Sequence, residues 1–202
     1  MNSSQHTQFS PDQVRYLTDL MVLDKTTLSP SGGLVVDGDV FLNSDWTEIK
    51  FPFKSISGHF SCNSEKLSSL INAPVLVGKA FECRFTEITS LEHAPQSVGL
   101  HFSCANTDIT SFDHAPQSVG AYFNALDTKV TSLKGIHKTH RNWKIGGILY
   151  LPDDCADVVG LALIEGINRI YVNGAEFDIS DHDPHTFQEK LLDVGMKAQA
   201  RM

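Results

Sequence analysis

The sequence lacks a long hydrophobic run, a cluster of basic residues and the short motifs of common enzymes. Its longest uncharged apolar stretch, Val158–Ile164, has seven residues, whereas a membrane helix needs roughly 20. The first ten residues are polar and do not have the basic-then-apolar layout of a secretory leader. These absences predict a cytoplasmic protein without a membrane segment, and 41% apolar residues predict a folded core.

Charge excludes a further class of function. The 16 Lys and Arg residues stand against 24 Asp and Glu, a net charge of −8. No basic run is long enough to follow a phosphate backbone, so we expect no direct nucleic-acid binding. Eight carboxylates and one base, Arg169, lie between Leu151 and His185. This region is either a solvated face or a docking surface for a basic partner. The candidate residues of this secondary acidic surface are Asp153, Asp154, Asp157 and Asp181.

No signature of catalysis or cofactor binding is present. The sequence contains no GxxxxGK[ST], GxSxG, HExxH or paired CxxC motif, so we expect neither an enzyme nor a cofactor. The string 181–185 contains metal-ligand residue types, but the same letters suit a helix start with Asp183 as N-cap. His137 and His140 have no third ligand nearby in the sequence. We therefore predict no metal site.

The sequence contains an internal repeat of 21 residues. Residues 56–139 divide into four lines of 21 residues: ISGHFSCNSEKLSSLINAPVL, VGKAFECRFTEITSLEHAPQS, VGLHFSCANTDITSFDHAPQS and VGAYFNALDTKVTSLKGIHKT. The second and third lines share 13 of 21 residues without a gap. A looser copy precedes them at 35–55, and a degenerate one follows at 140–152. Such a period is typical of a solenoid in which each repeat forms one coil.

The columns of this repeat predict the core. Positions 1, 5, 7, 12 and 15 are apolar, and positions 5 and 7 alternate with polar neighbours, as in a half-buried strand. We expect column 5 to stack in the interior and the cysteines of column 7 to be small buried apolar residues, because a one-dimensional row cannot surround a metal tetrahedrally. Column 5 is Phe60, Phe81, Phe102 and Phe123, and column 7 is Cys62, Cys83, Cys104 and Ala125.

The core string F-x-C-x-x-T-x-I-T-S-L resembles the leucine-rich-repeat pattern L-x-L-x-x-N-x-L. Its four signature positions are occupied by Phe102, Cys104, Thr107 and Ile109, with Thr where most such repeats have Asn. The string is most similar to short leucine-rich-repeat-like proteins of bacteriophages, whose C-terminal section the segment 151–202 also resembles. The resemblance implies an α/β repeat: a leucine-rich-repeat-like β-solenoid of about six 21-residue coils with helical caps at both ends. It implies no activity, because the fold is a scaffold.

We expect one cooperative unit in three parts. Residues 1–33 form an N-terminal helical cap and lead-in, residues 34–151 the solenoid, and residues 152–202 a C-terminal cap. The first helix begins at the capping sequence Ser10-Pro11-Asp12-Gln13 and runs to about Leu23. Its apolar stripe is Val14, Leu17, Leu20 and Met21. The C-terminal cap is expected to contain a helix at 152–165, a strand at 169–172 and a helix at 184–200.

The outward-facing side of the strands is the expected binding surface. Its side chains at positions 4, 6 and 8 include histidines, a tyrosine and an arginine instead of the Lys and Thr of a solvated sheet face, and Tyr and Arg commonly anchor interfaces. Phe85, one column further on, replaces the polar residues of the other coils. The candidate binding residues are His59, Glu82, Arg84, Phe85, His101, Tyr122, Asn124 and Asn142.

These features predict a non-catalytic protein–protein interaction module. With the resemblance, they suggest a phage protein that binds a host or defence protein in the host cytoplasm and inhibits it by occlusion. One alternative is an enzymatic effector, since secreted bacterial ubiquitin ligases carry similar repeats beside a domain with a nucleophilic cysteine; here the remaining cysteine is Cys155. Another alternative is a structural virion component. The expected partner is a host or phage protein, and the oligomeric state stays open.

Overall fold

The fold is a β-solenoid of about seven turns with few helices. The computed structural model describes residues 9–202; the polar segment 1–8, on which the expectation of no secretory leader rests, lies outside that range. Within it, the α-helices are α1 (Pro11–Asp19), α2 (Ile136–Thr139) and α3 (Pro184–Asp193). Short 3₁₀ helices lie at Leu23–Lys25 and Val158–Leu163.

Each regular coil contributes two short strands, where the sequence predicts one. The first strands are β2 (Leu34–Val36), β4 (Phe53–Ile56), β6 (Leu76–Val77), β8 (Ser97–Val98) and β10 (Ser118–Val119). The second strands are β3 (Val40–Phe41), β5 (Phe60–Ser61), β7 (Phe81–Glu82), β9 (Phe102–Ser103) and β11 (Phe123–Asn124). Both sets form parallel ladders, which meet on the longer strand β12 (Lys144–Tyr150) and continue to β13 (Ile167–Val172).

The 21-residue period sets the register of the second ladder, and it places the phenylalanines in one stack. Phe60 pairs with Phe81, Phe81 with Phe102, and Phe102 with Phe123. Their ring centroids are 5.4, 5.4 and 4.9 Å apart, and all four side chains are fully buried. The predicted aromatic spine is confirmed.

A glycine joins the two strands of a coil where neighbouring backbones approach too closely for a side chain. A Cβ on Gly99 would overlap the carbonyl oxygen of Gly78, and one on Gly120 would overlap that of Gly99. Hydrogen bonds run between the same coils, from Gly99 N to Val77 O at 2.8 Å. Glycine therefore recurs at this position of the repeat because the backbones of neighbouring coils pack closely at the bend.

Two turns with left-handed residues close each of the three coils that begin at Val77, Val98 and Val119. Position 17 is held by Asn72, His93, His114 and Gly135, with φ between 64° and 78°, and these residue types tolerate that region. At the other turn, the threonine at position 10 donates its hydroxyl to the carbonyl at position 7, as Thr107 does to Cys104 at 2.7 Å. Thr86 and Thr128 make the same bond in their own coils, so the threonine hydroxyl satisfies a carbonyl of this turn.

The cysteines of column 7 are buried, as predicted. Cys62, Cys83 and Cys104 have no exposed surface, and each thiol lies 3.4 to 3.6 Å from a carbonyl oxygen of the next coil, to which it donates. Burial raises the pKa of each of these thiols. They are therefore protonated core residues at neutral pH.

Antiparallel strands end the sheet on both sides. Strand β1 (Thr26–Leu28) pairs with β2, and β14 (Ala175–Asp178) pairs with β13 across the turn Asn173-Gly174. The predicted capping box of α1 is present, but the helix ends at Asp19, because Met21 adopts a left-handed φ of 57°. Met21 is consequently 89% exposed and does not belong to the apolar stripe.

The C-terminal segment differs most from expectation. In place of a helix at 152–165, the chain forms the 3₁₀ helix Val158–Leu163, since the N–H groups of Asp157 and Val158 bond to the carbonyls of Ala198 and Gln199. Such bonds with a distant segment compete with α-helix formation. Helix α3 starts at the predicted N-cap Asp183 but ends at Asp193, before Gly195 with its φ of 81°.

Candidate protein-binding surface

The outward side chains of β5, β7, β9 and β11 form one strand face. Register places His59, Ala80, His101 and Tyr122 in one row, because each precedes a paired phenylalanine. The adjacent row is Ser61, Glu82, Ser103 and Asn124. The structure thus brings together the candidates from positions 4 and 6, although Ala80, Ser103 and Ala105 are buried among their larger neighbours.

A polar cluster surrounds Glu82 on this face. Its carboxylate lies 3.5 Å from Nε2 of His101 and 3.3 Å from the guanidinium of Arg84, and it accepts a hydrogen bond from the amide of Asn63 at 3.2 Å. Asn63 in turn accepts from the backbone N–H of Arg84. Arg84 and His101 are therefore held in fixed positions by a partly buried acid.

Two polar atoms on the same face lack hydrogen bonds within the described chain. They are Oγ of Ser103 and Nε of Arg84, both shielded from solvent. Because buried polar groups normally have a partner, these atoms mark a surface whose hydrogen bonding is incomplete.

Aromatic rings continue the face towards the C-terminal end. His101 stacks on Tyr122 with centroids 4.6 Å apart, Tyr122 meets Tyr150 at 6.0 Å, and Tyr150 meets Tyr171 at 5.5 Å. The sequence reasoning missed Tyr150 and Tyr171, because it continued the rows without counting an insertion. Phe123 pairs with Leu149 and Asn124 with Tyr150, 26 residues further on. Aligning LYL at 149–151 with FNA at 123–125 would have placed Tyr150 and its partner Tyr171 in the row of Asn124.

Phe85 occupies a turn position that does not suit it. Its φ is 57°, close to the 56° of Asn106 and the 55° of Asp127 in the next two coils. A left-handed backbone favours Asn and Asp, and it is unusual for a bulky side chain. The ring is 54% exposed, so core packing does not account for its presence.

Asn142 lies away from the strand face, and Asn124 lies on it. Asn142 precedes β12 and lines a separate groove with His114, Gln117 and Arg141, so it does not belong to the strand face. The predicted continuation through Asn142 is wrong in position, since the insertion shifts the register. Asn124 is on the face, but its side-chain oxygen accepts the N–H of Leu126 within the local turn.

The acidic candidates make different local contacts. Asp153 and Asp154 line a groove of about 430 Å³ together with Asp127, Leu126 and Tyr171. Asp157 accepts a hydrogen bond from Ser132. Asp181 pairs with Lys190 at 3.5 Å. Only the first two candidates therefore adjoin the aromatic end of the strand face.

The chemistry of the remaining candidates is limited. Burial, reinforced by Asp154 and Asp157, raises the pKa of Cys155 to about 12, which is opposite to the shift that a nucleophilic cysteine needs. Among residues 9–202, no group of three or more His, Cys, Asp or Glu residues is placed to hold a metal ion. None of the helices in that range has the length and apolar character of a membrane span.

Comparisons of the chain with protein-family models, with curated proteins and with solved structures give no match.

Proposed function

We propose that this chain is a non-catalytic protein-binding module that contacts one macromolecular partner through its strand face. The observation that carries this proposal is Phe85, an exposed ring on a left-handed backbone. Strained, exposed residues are concentrated at functional sites. Phe85 directly follows Arg84 in the chain. Arg84 and Tyr122 are residue types that anchor protein interfaces.

The rigidity of the face favours recognition of a folded or ordered partner. Stacked parallel strands fix His101 and Tyr122 at 4.6 Å with nearly parallel rings, and Glu82 positions Arg84. A preorganised surface loses little conformational entropy when it binds.

The finer assignment is a leucine-rich-repeat-like protein of phage type, which occludes a host or defence protein in the host cytoplasm. Its support is the F-x-C-x-x-T-x-I string and the strand face. We also propose that helices α1 and α3 cap the stack. Tyr16 of α1 stacks on Trp46 at 4.9 Å, and Phe187 of α3 contacts Phe177 of β14 at 5.8 Å.

Affinity capture from host lysate, followed by mass spectrometry, tests the proposal. We expect wild type to retain a partner that Phe85→Asn and the double variant Tyr122→Ala/Arg84→Ala lose. Leu192→Ala on α3, where the side chain is 49% exposed, is the matched control and should retain it. Recovery of the same partner by all four proteins would exclude the strand face.

A further inference from the structure

The strand face ends in a group of four neighbouring aromatic rings from two rows. His101 and Tyr122 precede the paired phenylalanines, whereas Tyr150 and Tyr171 continue the row of Asn124. Neighbouring centroids are 4.6, 6.0 and 5.5 Å apart. The rings project from four successive coils, and each side chain is at least partly exposed. This aromatic group presents neighbouring π-systems across successive coils.

A groove with negative charge lies at the C-terminal end of this aromatic group, beside Tyr171. Tyr171 lines it together with Asp127, Asp153 and Asp154, all three of which are exposed. Within residues 9–202, no basic side chain pairs with these carboxylates. Arg169, on the strand that carries Tyr171, is already paired with Glu176 at 3.5 Å. The groove therefore keeps its negative charge.

An extended segment that lies along this face would place alternate side chains about 7 Å apart. The ring centroids are 4.6 to 6.0 Å apart, so such a segment would contact some of the rings and would not contact each one in turn. Oγ of Ser103 and Nε of Arg84 are shielded from solvent, so they are not contacts for it.

We infer that the strand face binds an extended segment whose arginine side chains stack on the tyrosines and enter the acidic groove. Arginine fits better than lysine, because its planar guanidinium stacks on aromatic rings and also binds carboxylates through two parallel hydrogen bonds. This inference rests on the proposed protein-binding function and specifies the partner's chemistry.

The direct test uses a fluorescein-labelled peptide in which arginine alternates with glycine, with binding followed by fluorescence anisotropy. We expect wild type to bind it and to bind a citrulline peptide of the same length about tenfold more weakly or worse, since citrulline keeps the shape and loses the charge. A lysine peptide should be intermediate. Equal binding of the arginine and citrulline peptides would overturn the inference.

Variants separate a specific groove from general attraction to an acidic protein. Tyr150→Ala and the double variant Asp153→Asn/Asp154→Asn should each weaken binding about tenfold. Glu87→Gln/Glu92→Gln removes two charges elsewhere on the coils and should change binding less than about twofold. An equal loss in this control, or no loss in Tyr150→Ala, would contradict the inference. Thermal unfolding confirms that every variant is folded.

The two proposals fail in different ways. If lysate capture depends on Phe85 and Tyr122 but the arginine peptide does not bind, the protein-binding function stands and the arginine chemistry is wrong. If the peptide binds as expected and no captured protein depends on the strand face, the surface recognises arginine and the proposed function fails.

Discussion

At the scale of single residues, the left-handed backbone of Phe85 lowers the stability of the fold, while its ring adds exposed aromatic surface. The equivalent position of the next coil has the same left-handed backbone and holds Asn106, a residue type that tolerates this conformation better. For an ordinary side chain the conformation costs roughly 1–2 kcal/mol. Phe85→Asn should therefore increase the free energy of unfolding by up to about 1 kcal/mol in urea titrations, while it weakens partner binding. The reverse change, Asn106→Phe, should destabilise the protein. A clear loss of stability in Phe85→Asn would show that the ring has a packing role.

Truncation of a ring in the aromatic spine should destabilise the protein, in contrast to Phe85→Asn. Phe102 is fully buried between Phe81 and Phe123, so Phe102→Ala leaves a cavity that the stacked coils cannot close. The expected loss is about 3–5 kcal/mol in the free energy of unfolding. Cys83→Ala, next to the spine, removes a much smaller buried side chain and should cost clearly less. Similar losses in both variants would argue against a special role of the rings.

At the scale of elements, the bend between the two strands of a coil depends on glycine. A methyl group on Gly99 would overlap the carbonyl oxygen of Gly78, and relief requires the ladders to move apart. Gly99→Ala should therefore lower the melting temperature, even though alanine normally restricts the unfolded chain and stabilises. Leu100→Ala, at the exposed neighbouring residue, is the control and should change it little. An unchanged melting temperature in Gly99→Ala would contradict the close approach.

Helix α3 depends on a titratable N-cap. Hydrogen bonds from the Thr186 hydroxyl and the His185 backbone N–H lower the pKa of Asp183 below its ordinary value. Because the folded pKa is lower than the unfolded one, this stabilisation is present above the unfolded pKa of about 3.9 and is lost as pH falls through the lowered pKa. Asp183→Asn keeps an acceptor without a titrating group.

Melting temperatures between pH 7 and pH 2 test this N-cap. The wild type should lose more thermal stability below about pH 4 than Asp183→Asn does, because only the wild-type cap is protonated. Parallel pH curves for the two proteins would assign the acid sensitivity to other carboxylates.

At the scale of the whole molecule, the sequence predicts the structure well where the 21-residue repeat is regular and poorly where it is interrupted. The positions of Phe81, Cys83 and Val98 in the core were readable because identical columns repeat every 21 residues. Asn142 was misplaced because the coil before β12 is longer, and no local pattern marks the insertion. The expected α-helix at 152–165 is wrong, because the backbone of this segment bonds to residues near Ala198. Local helix propensity does not report such a non-local interaction.

The surface was predictable only in part for the same reason. His101 and Tyr122 fall within the regular repeats, and their contact follows from register. Tyr150 and Tyr171 lie beyond the insertion and continue the row of Asn124, so the ring contact between Tyr122 and Tyr150 is evident only from the three-dimensional structure. The left-handed conformation of Phe85 could have been inferred from the Asn and Asp in the same column of the next coils.

Disulfide cross-linking tests the central claim, that coils stack in a 21-residue register, most directly. Ser97 pairs with Ser118, and Ser55 lies two coils from Ser97. Adjacent strands are about 4.8 Å apart, within disulfide reach, whereas two coils span about 10 Å, beyond the roughly 7 Å limit between Cα atoms. The native cysteines can remain, because burial raises their pKa values. The structure predicts rapid oxidation of Ser97→Cys/Ser118→Cys and none of Ser55→Cys/Ser97→Cys; the reverse result, or equal oxidation of both, would contradict it.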